Sequence, residues 1–166
     1  FSASTMANLN LDYETLVQAN PNLIYLTMPG FGKTGPYKDW VAFGPIIEPM
    51  SGLTAAMGYS IEEPRNSGVA LVDPTSATSA AAAVVTAIRA TKKKRGGSTL
   101  IEMSLHEAGV SFNGPWLVDS QLGAPSPVLN NGHPNMSPHG VYPCKGEDSW
   151  LALACEHQKI GRLSQR

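Results

Sequence analysis

Asp73 is the carboxylate with the most particular surroundings. It lies between the apolar run Val69-Ala70-Leu71-Val72 and Pro74, and a long helical pattern follows. Asp at the N-cap with Pro at the first helical position is a standard helix start. The same geometry suits chemistry. A helix N-terminus favours negative charge, so the carboxylate stays ionised and can act as a nucleophile that forms a covalent intermediate. Cap and nucleophile are compatible readings of the same position.

Other chemical groupings are weaker. Gly32-Lys33-Thr34 resembles the end of a phosphate-binding loop, but the full pattern needs glycine at position 27, which is threonine, and Gly35-Pro36 stands where a helix should follow. The Gly30-Phe31-Gly32 turn after a strand is either a plain turn or a place where backbone N–H groups approach a phosphate. His133 and His139 flank Pro134-Asn135-Met136-Ser137-Pro138. They lack an evident third ligand, so the stretch reads as a polar substrate loop rather than a metal site. Met50-Ser51-Gly52 lacks the first glycine of a nucleophile elbow. Cys144 and Cys155 form neither a disulfide framework nor a zinc pattern, and Cys155, in a strand-like apolar run, reads as a buried thiol. That cysteine usage fits a reducing cytoplasm.

The elements that must carry these groups are legible in outline. The 166 residues include 16 glycines, 13 prolines and only 15% charged residues, with 42% hydrophobic. A core can form, and disordered, collagen-like and coiled-coil classes are excluded. The formal net charge of -1 gives no reason to expect nucleic acid or a membrane surface, and no apolar run approaches a membrane span. The basic run Lys92 to Arg95 reads as a charged helix end before Gly96-Gly97. A short helix starts near Asp12, and residues 22–28 make a strand ended by Pro29-Gly30. Its near-continuous apolar character predicts burial on both faces. Residues 29–40 are a loop, and 46–57 are helical despite Pro49 and Gly52. Residues 74–91 make the strongest helix, with Ala77, Ala80, Ala81, Val84, Val85 and Ile88 on one face. A strand at 100–103 leads into a capping box, Ser104 with Glu107, and a helix towards Gln121 kinked at Pro115. Residues 123–140 are a long loop, and 150–154 a final strand.

Taken in order, several segments resemble the class III CoA-transferases, the CaiB/BaiF family of formyl-CoA and carnitine CoA-transferases. They are Phe1 with Leu9 to Leu16; Leu23-Ile24-Tyr25 through Pro29-Gly30-Phe31-Gly32-Lys33-Thr34-Gly35-Pro36-Tyr37; Met50-Ser51-Gly52; Gly68-Val69-Ala70-Leu71-Val72-Asp73; and Asn131-Gly132-His133-Pro134-Asn135 through Pro138 to Pro143. Gly97 to Ala108 looks like the strand and helix after that family's catalytic aspartate.

The resemblance implies that Asp73 is a catalytic nucleophile attacking an acyl-CoA thioester. It places Phe1, Gly30, Phe31 and Gly32 at CoA-contacting positions, and Gly132, His133, Asn135 and His139 in a loop over the substrate. Two CoA-contacting basic positions of some members are Asn8 and Pro29 here. The implied fold is an α/β fragment: residues 1–40 end a Rossmann-like CoA-binding region, 41–122 carry a linker and the nucleophile, and 123–166 hold the active-site loop and the start of a small domain. The intact family forms intertwined homodimers, acts on acyl-CoA and a carboxylic acid, and holds no tight cofactor or metal. The chain opens at Phe1 and closes at Arg166 in a way that reads as an internal piece. Two alternatives remain at this level. One is an acyl-CoA racemase or isomerase of the same superfamily, disfavoured because 41–52 has no His. The other is a non-catalytic fragment in which Asp73 only caps a helix.

Overall fold

The computed structural model describes residues 2, 4–94, 96–123, 128, 130–133 and 135–156. Helix α1 (Thr5–Asn8) and helix α2 (Tyr13–Ala19) lead into strand β1 (Ile24–Thr27). Asp12 caps α2, accepting from the Thr15 amide at 2.8 Å, and that bond holds its carboxyl below the usual range. After a loop come α3 (Gly44–Met50) and α4 (Leu53–Ala56), then a small hairpin of β2 (Gly58–Ser60) and β3 (Glu63–Pro64). The long helix α5 (Val72–Lys94) is followed by β4 (Thr99–Glu102), α6 (Leu105–Phe112), α7 (Gly114–Gln121) and a second hairpin, β5 (His139–Pro143) with β6 (Trp150–Ala154).

The mixed α/β architecture has one parallel element. β1 pairs with β4 from Ile24↔Thr99 to Thr27↔Glu102. The pairing runs on past the strands: the Met103 amide donates to Thr27, that of Leu105 to Pro29, and that of His106 to Gly30 at 2.9 Å. The Gly30 turn is thereby fixed to the start of α6. β1 is half-buried along its length rather than buried on both faces, because β4 is its single strand neighbour among the described residues.

The core is small and sits where α3, α4 and α5 meet. Ile47, Leu53 and Val72 form it, with Phe31, Ala42, Met57 and Leu105 packed around them. The expected helix over 46–57 is two helices, because the chain turns at Gly52 with φ 83°. The expected kink at Pro115 is likewise a break between two helices: α6 ends at Phe112, Asn113 caps it, and α7 begins with Pro115 in its first turn. The capping box forms in part: the Glu107 amide donates to Ser104 Oγ, but Glu107 Oε2 accepts from that same hydroxyl instead of from the Ser104 amide.

Three further expectations are corrected. The covered stripe of α5 runs through Val72, Ser76, Ala80 and Ala87, whereas Val85 and Ile88 are exposed. Residues 139 and 140 belong to β5 and pair with Ala154 and Leu153, so the loop ends earlier. Cys155 is half-buried rather than buried. Among the described residues, no helix is long and apolar enough to cross a membrane.

Candidate functional site

Asp73 reaches its position through Val72. Val72 is fully buried in the core, and the next residue turns outward to an exposed carboxylate. Its place in the helix differs from the expected N-cap. The Leu71 carbonyl accepts the first helical bond, from the Thr75 amide, so α5 starts two residues earlier than a cap at Asp73 requires. The Asp73 amide donates to Ala70 at 2.9 Å. Among the described residues, no hydrogen bond or ion pair engages the carboxylate. Asp73 is thus a first-turn acid, favoured there by the helix dipole, and not a cap.

The carboxylate lies against a glycine. A Cβ placed on Gly44, the first residue of α3, would stand 2.9 and 3.1 Å from the Asp73 oxygens and 2.6 Å from Ala70 Cβ. A side chain at this position would crowd the carboxylate, and glycine leaves that space free. One turn later on α3 stands Glu48, fully buried. Its Oε2 accepts from the Ser67 amide at 2.9 Å, and its Oε1 from Ser67 Oγ and the Leu71 amide, each at 2.6 Å. Burial alone would raise the Glu48 pKa, but the Ser67 and Leu71 donors outweigh it and hold the carboxyl below its usual range. Neither Gly44 nor Glu48 belongs to a motif that the sequence marks. The available signal for Glu48 was its isolation, since it is the sole charged residue between Asp39 and Glu62.

The Gly30-Phe31-Gly32 turn packs against the same core. A Cβ on Gly30 would collide with Ala42 and stand 3.6 Å from Ile47, so only glycine lets this turn close on the lead-in to α3. Phe31 packs against the core cluster. Its ring also meets Tyr37 at 5.8 Å, Trp40 edge-on at 6.0 Å and His106 at 5.7 Å. Gly32 adopts φ 82°. Lys33 pairs with Glu102 at 3.2 Å, tying the loop to the end of β4. The turn and Asp73 thus share one support, α3 with its core residue Ile47 and the adjoining core residue Val72 of α5.

The 131–139 segment is organised separately. His139 Nδ1 donates to the Asn131 carbonyl at 2.8 Å, the Asn135 amide donates to His133 Nδ1 at 3.2 Å, and the two imidazoles lie 5.3 Å apart. Gly132 lines a cavity of about 650 Å³ with Tyr59, Arg65 and Asn131. No hydrogen bond among the described residues joins this segment to Asp73 or to the Gly30 turn. No group of three His, Cys, Asp or Glu side chains gathers among the described residues. Phe1 lies outside the described residues.

Comparison with known proteins gives a consistent result. The family model described as CoA-transferase family III matches residues 1–164. The chain is 35% identical over 159 residues to the succinate–glutarate CoA-transferase of Agrobacterium fabrum, covering 93% of this chain and 38% of that protein. It is 30% identical over 167 residues to the succinyl-CoA–D-citramalate CoA-transferase of Chloroflexus aurantiacus, covering 99% and 41%. A CaiB/BaiF family protein from Brucella suis superposes with a TM-score of 0.84 at 27% identity, over 99% of this chain and 43% of that one. The chain spans about two fifths of the length of these relatives.

Proposed function

The chain belongs to CoA-transferase family III, and from that premise we propose that the intact protein passes coenzyme A from an acyl-CoA thioester to a carboxylic acid through Asp73. An Asp73 oxygen attacks the thioester carbonyl, the C–S bond breaks, and coenzyme A leaves as thiolate. The product is a mixed anhydride on Asp73. The thiolate then attacks the aspartyl carbonyl, which releases the donor carboxylate and leaves an aspartyl thioester. The acceptor carboxylate attacks that thioester, expelling the thiolate and forming a second anhydride. Attack of the thiolate on the acceptor acyl carbonyl yields the new acyl-CoA and regenerates Asp73. Coenzyme A is a substrate here, and no tightly bound cofactor enters.

The observation that carries this reading is the state of the Asp73 carboxylate. It is exposed, bound by no cation or donor among the described residues, and held on a helix whose preceding residue is locked in the core. A nucleophile needs those properties, since a carboxylate already paired is stabilised against attack. The group facing it from α3 is Gly44, which carries no acid or base. A two-base racemisation therefore has no partner at that point, which favours transfer. In the same reading Gly30, Phe31 and Gly32, with Phe1, contact coenzyme A, and Gly132, His133, Asn135 and His139 attend the acyl group. The domain limits at residues 40 and 122, a homodimer and a cytoplasmic setting are part of this proposal. Replacing Asp73 by Asn or Ala in the intact protein tests it. CoA transfer falls by about a thousandfold or more while the fold is retained; a variant that keeps its activity excludes the aspartyl route.

A further inference from the structure

We propose that Glu48 is a positioning residue for Asp73, its buried carboxylate gathering the Ser67–Leu71 turn and so setting where the helix that carries Asp73 begins. The inference rests on the reading of Asp73 as nucleophile.

Burying a carboxylate is unfavourable unless its oxygens are satisfied. Glu48 is fully buried and accepts three hydrogen bonds, all from one short segment. That segment needs external support. Gly68 has φ 75° and Ala70 has φ 49°, the latter a left-handed conformation that an alanine rarely adopts unaided. Ser67 Oγ, while donating to Glu48, also accepts from the Val69 amide at 3.3 Å and the Leu71 amide at 3.2 Å. The Leu71 amide is thus shared between Glu48 and Ser67. The next steps follow along the chain. The Leu71 carbonyl accepts from Thr75 and opens α5, and the Ala70 carbonyl accepts from the Asp73 amide. The hydrogen bonds that open α5 just before Asp73 thus lead back, within a few residues, to the Glu48 carboxylate, alongside the anchoring of Val72 in the core. Gly44, four residues earlier on α3, meets Ala70 and Asp73 from the same side. One helix supplies both the acceptor that shapes the turn and the space that receives the nucleophile.

The test uses the intact protein and the variant Glu48→Gln, which keeps the shape but places an amide donor where one oxygen accepted. Amide hydrogen exchange at Ser67 and Leu71 is expected to rise by about tenfold or more, with rates in α6 unchanged. The first-turnover rate of acyl transfer to Asp73 from an acyl-CoA is expected to fall by about tenfold or more, with KM for acyl-CoA unchanged, since misplacement of a nucleophile acts on the chemical step. A purely structural role would lower the melting temperature without that kcat-against-KM split. Wild-type exchange at Ser67 and Leu71, or wild-type acylation, in Glu48→Gln overturns the proposal. If wild-type Asp73 accepts no acyl group, the transferase reading fails, and the exchange measurement still decides whether Glu48 holds the turn. Should Glu48→Gln fail to fold, Ser67→Ala removes one of the three bonds to Glu48 together with the weaker acceptor for the Val69 and Leu71 amides, and the same two readouts decide.

Discussion

In the proposed reaction Asp73 depends on what surrounds it as much as on its own charge. Gly44 leaves no room for a methyl group between α3 and the carboxylate. Gly44→Ala is therefore expected to push Asp73 aside and lower kcat by about 10- to 100-fold, because displacements near 1 Å cost that much in a reacting geometry; steady-state kinetics on the intact protein checks it. Glu48 adds a dependence on pH. Its donors, Ser67 foremost, depress its folded-state pKa although burial opposes them. A carboxyl with a depressed folded pKa stabilises the fold above its ordinary pKa, and that contribution is lost as pH falls through the folded value. Denaturation midpoints should thus drop on acidification below about pH 4.3, the ordinary Glu value, and Glu48→Gln should flatten that acid limb. Equilibrium unfolding across the acid range measures both slopes.

Elements written by local rules were readable in the sequence, and those decided by neighbours were not. Asp12 and Ser104 cap their helices as their side chains dictate, because capping depends only on residues within one turn. Ser104→Ala is accordingly expected to cost about 1 kcal/mol and to lower the melting temperature by a few degrees. The start of α5 departs from expectation for the opposite reason. Pro74 suggested a helix beginning at that residue, yet the side chain that shapes the turn, Glu48, comes from a segment 23 positions before Leu71. The buried face of α5 was also not legible. Its alanines offer more than one apolar stripe, and contact with α6, α3 and the parallel strands selects the one through Val72 and Ala80. Val72→Ala removes a fully buried side chain from a cluster of three, with an expected loss of about 2 kcal/mol, readable by denaturant unfolding.

Across the whole molecule the parallel pair β1–β4 is the organising feature. It carries the Gly30 turn to the start of α6, and α6 in turn reaches α3: His106 Nε2 donates to the Met50 carbonyl at 3.0 Å, and Asn113 Nδ2 to that of Ser51 at 3.1 Å. The Gly30 turn and Asp73 thus both bear on α3, through Ile47 and Gly44 on one face of that helix. The low charge content has its counterpart in the exposed apolar side chains Val41, Phe43, Val69 and Val85, on a chain that spans about two fifths of its relatives' length. The claim that ties these observations together is that Asp73 becomes covalently acylated. Incubating the intact protein with an acyl-CoA and hydroxylamine, followed by peptide mass spectrometry, tests it most directly. The account predicts a hydroxamate on Asp73 that requires acyl-CoA and is absent from Asp73→Asn. A protein that transfers coenzyme A while Asp73 stays unmodified would contradict it.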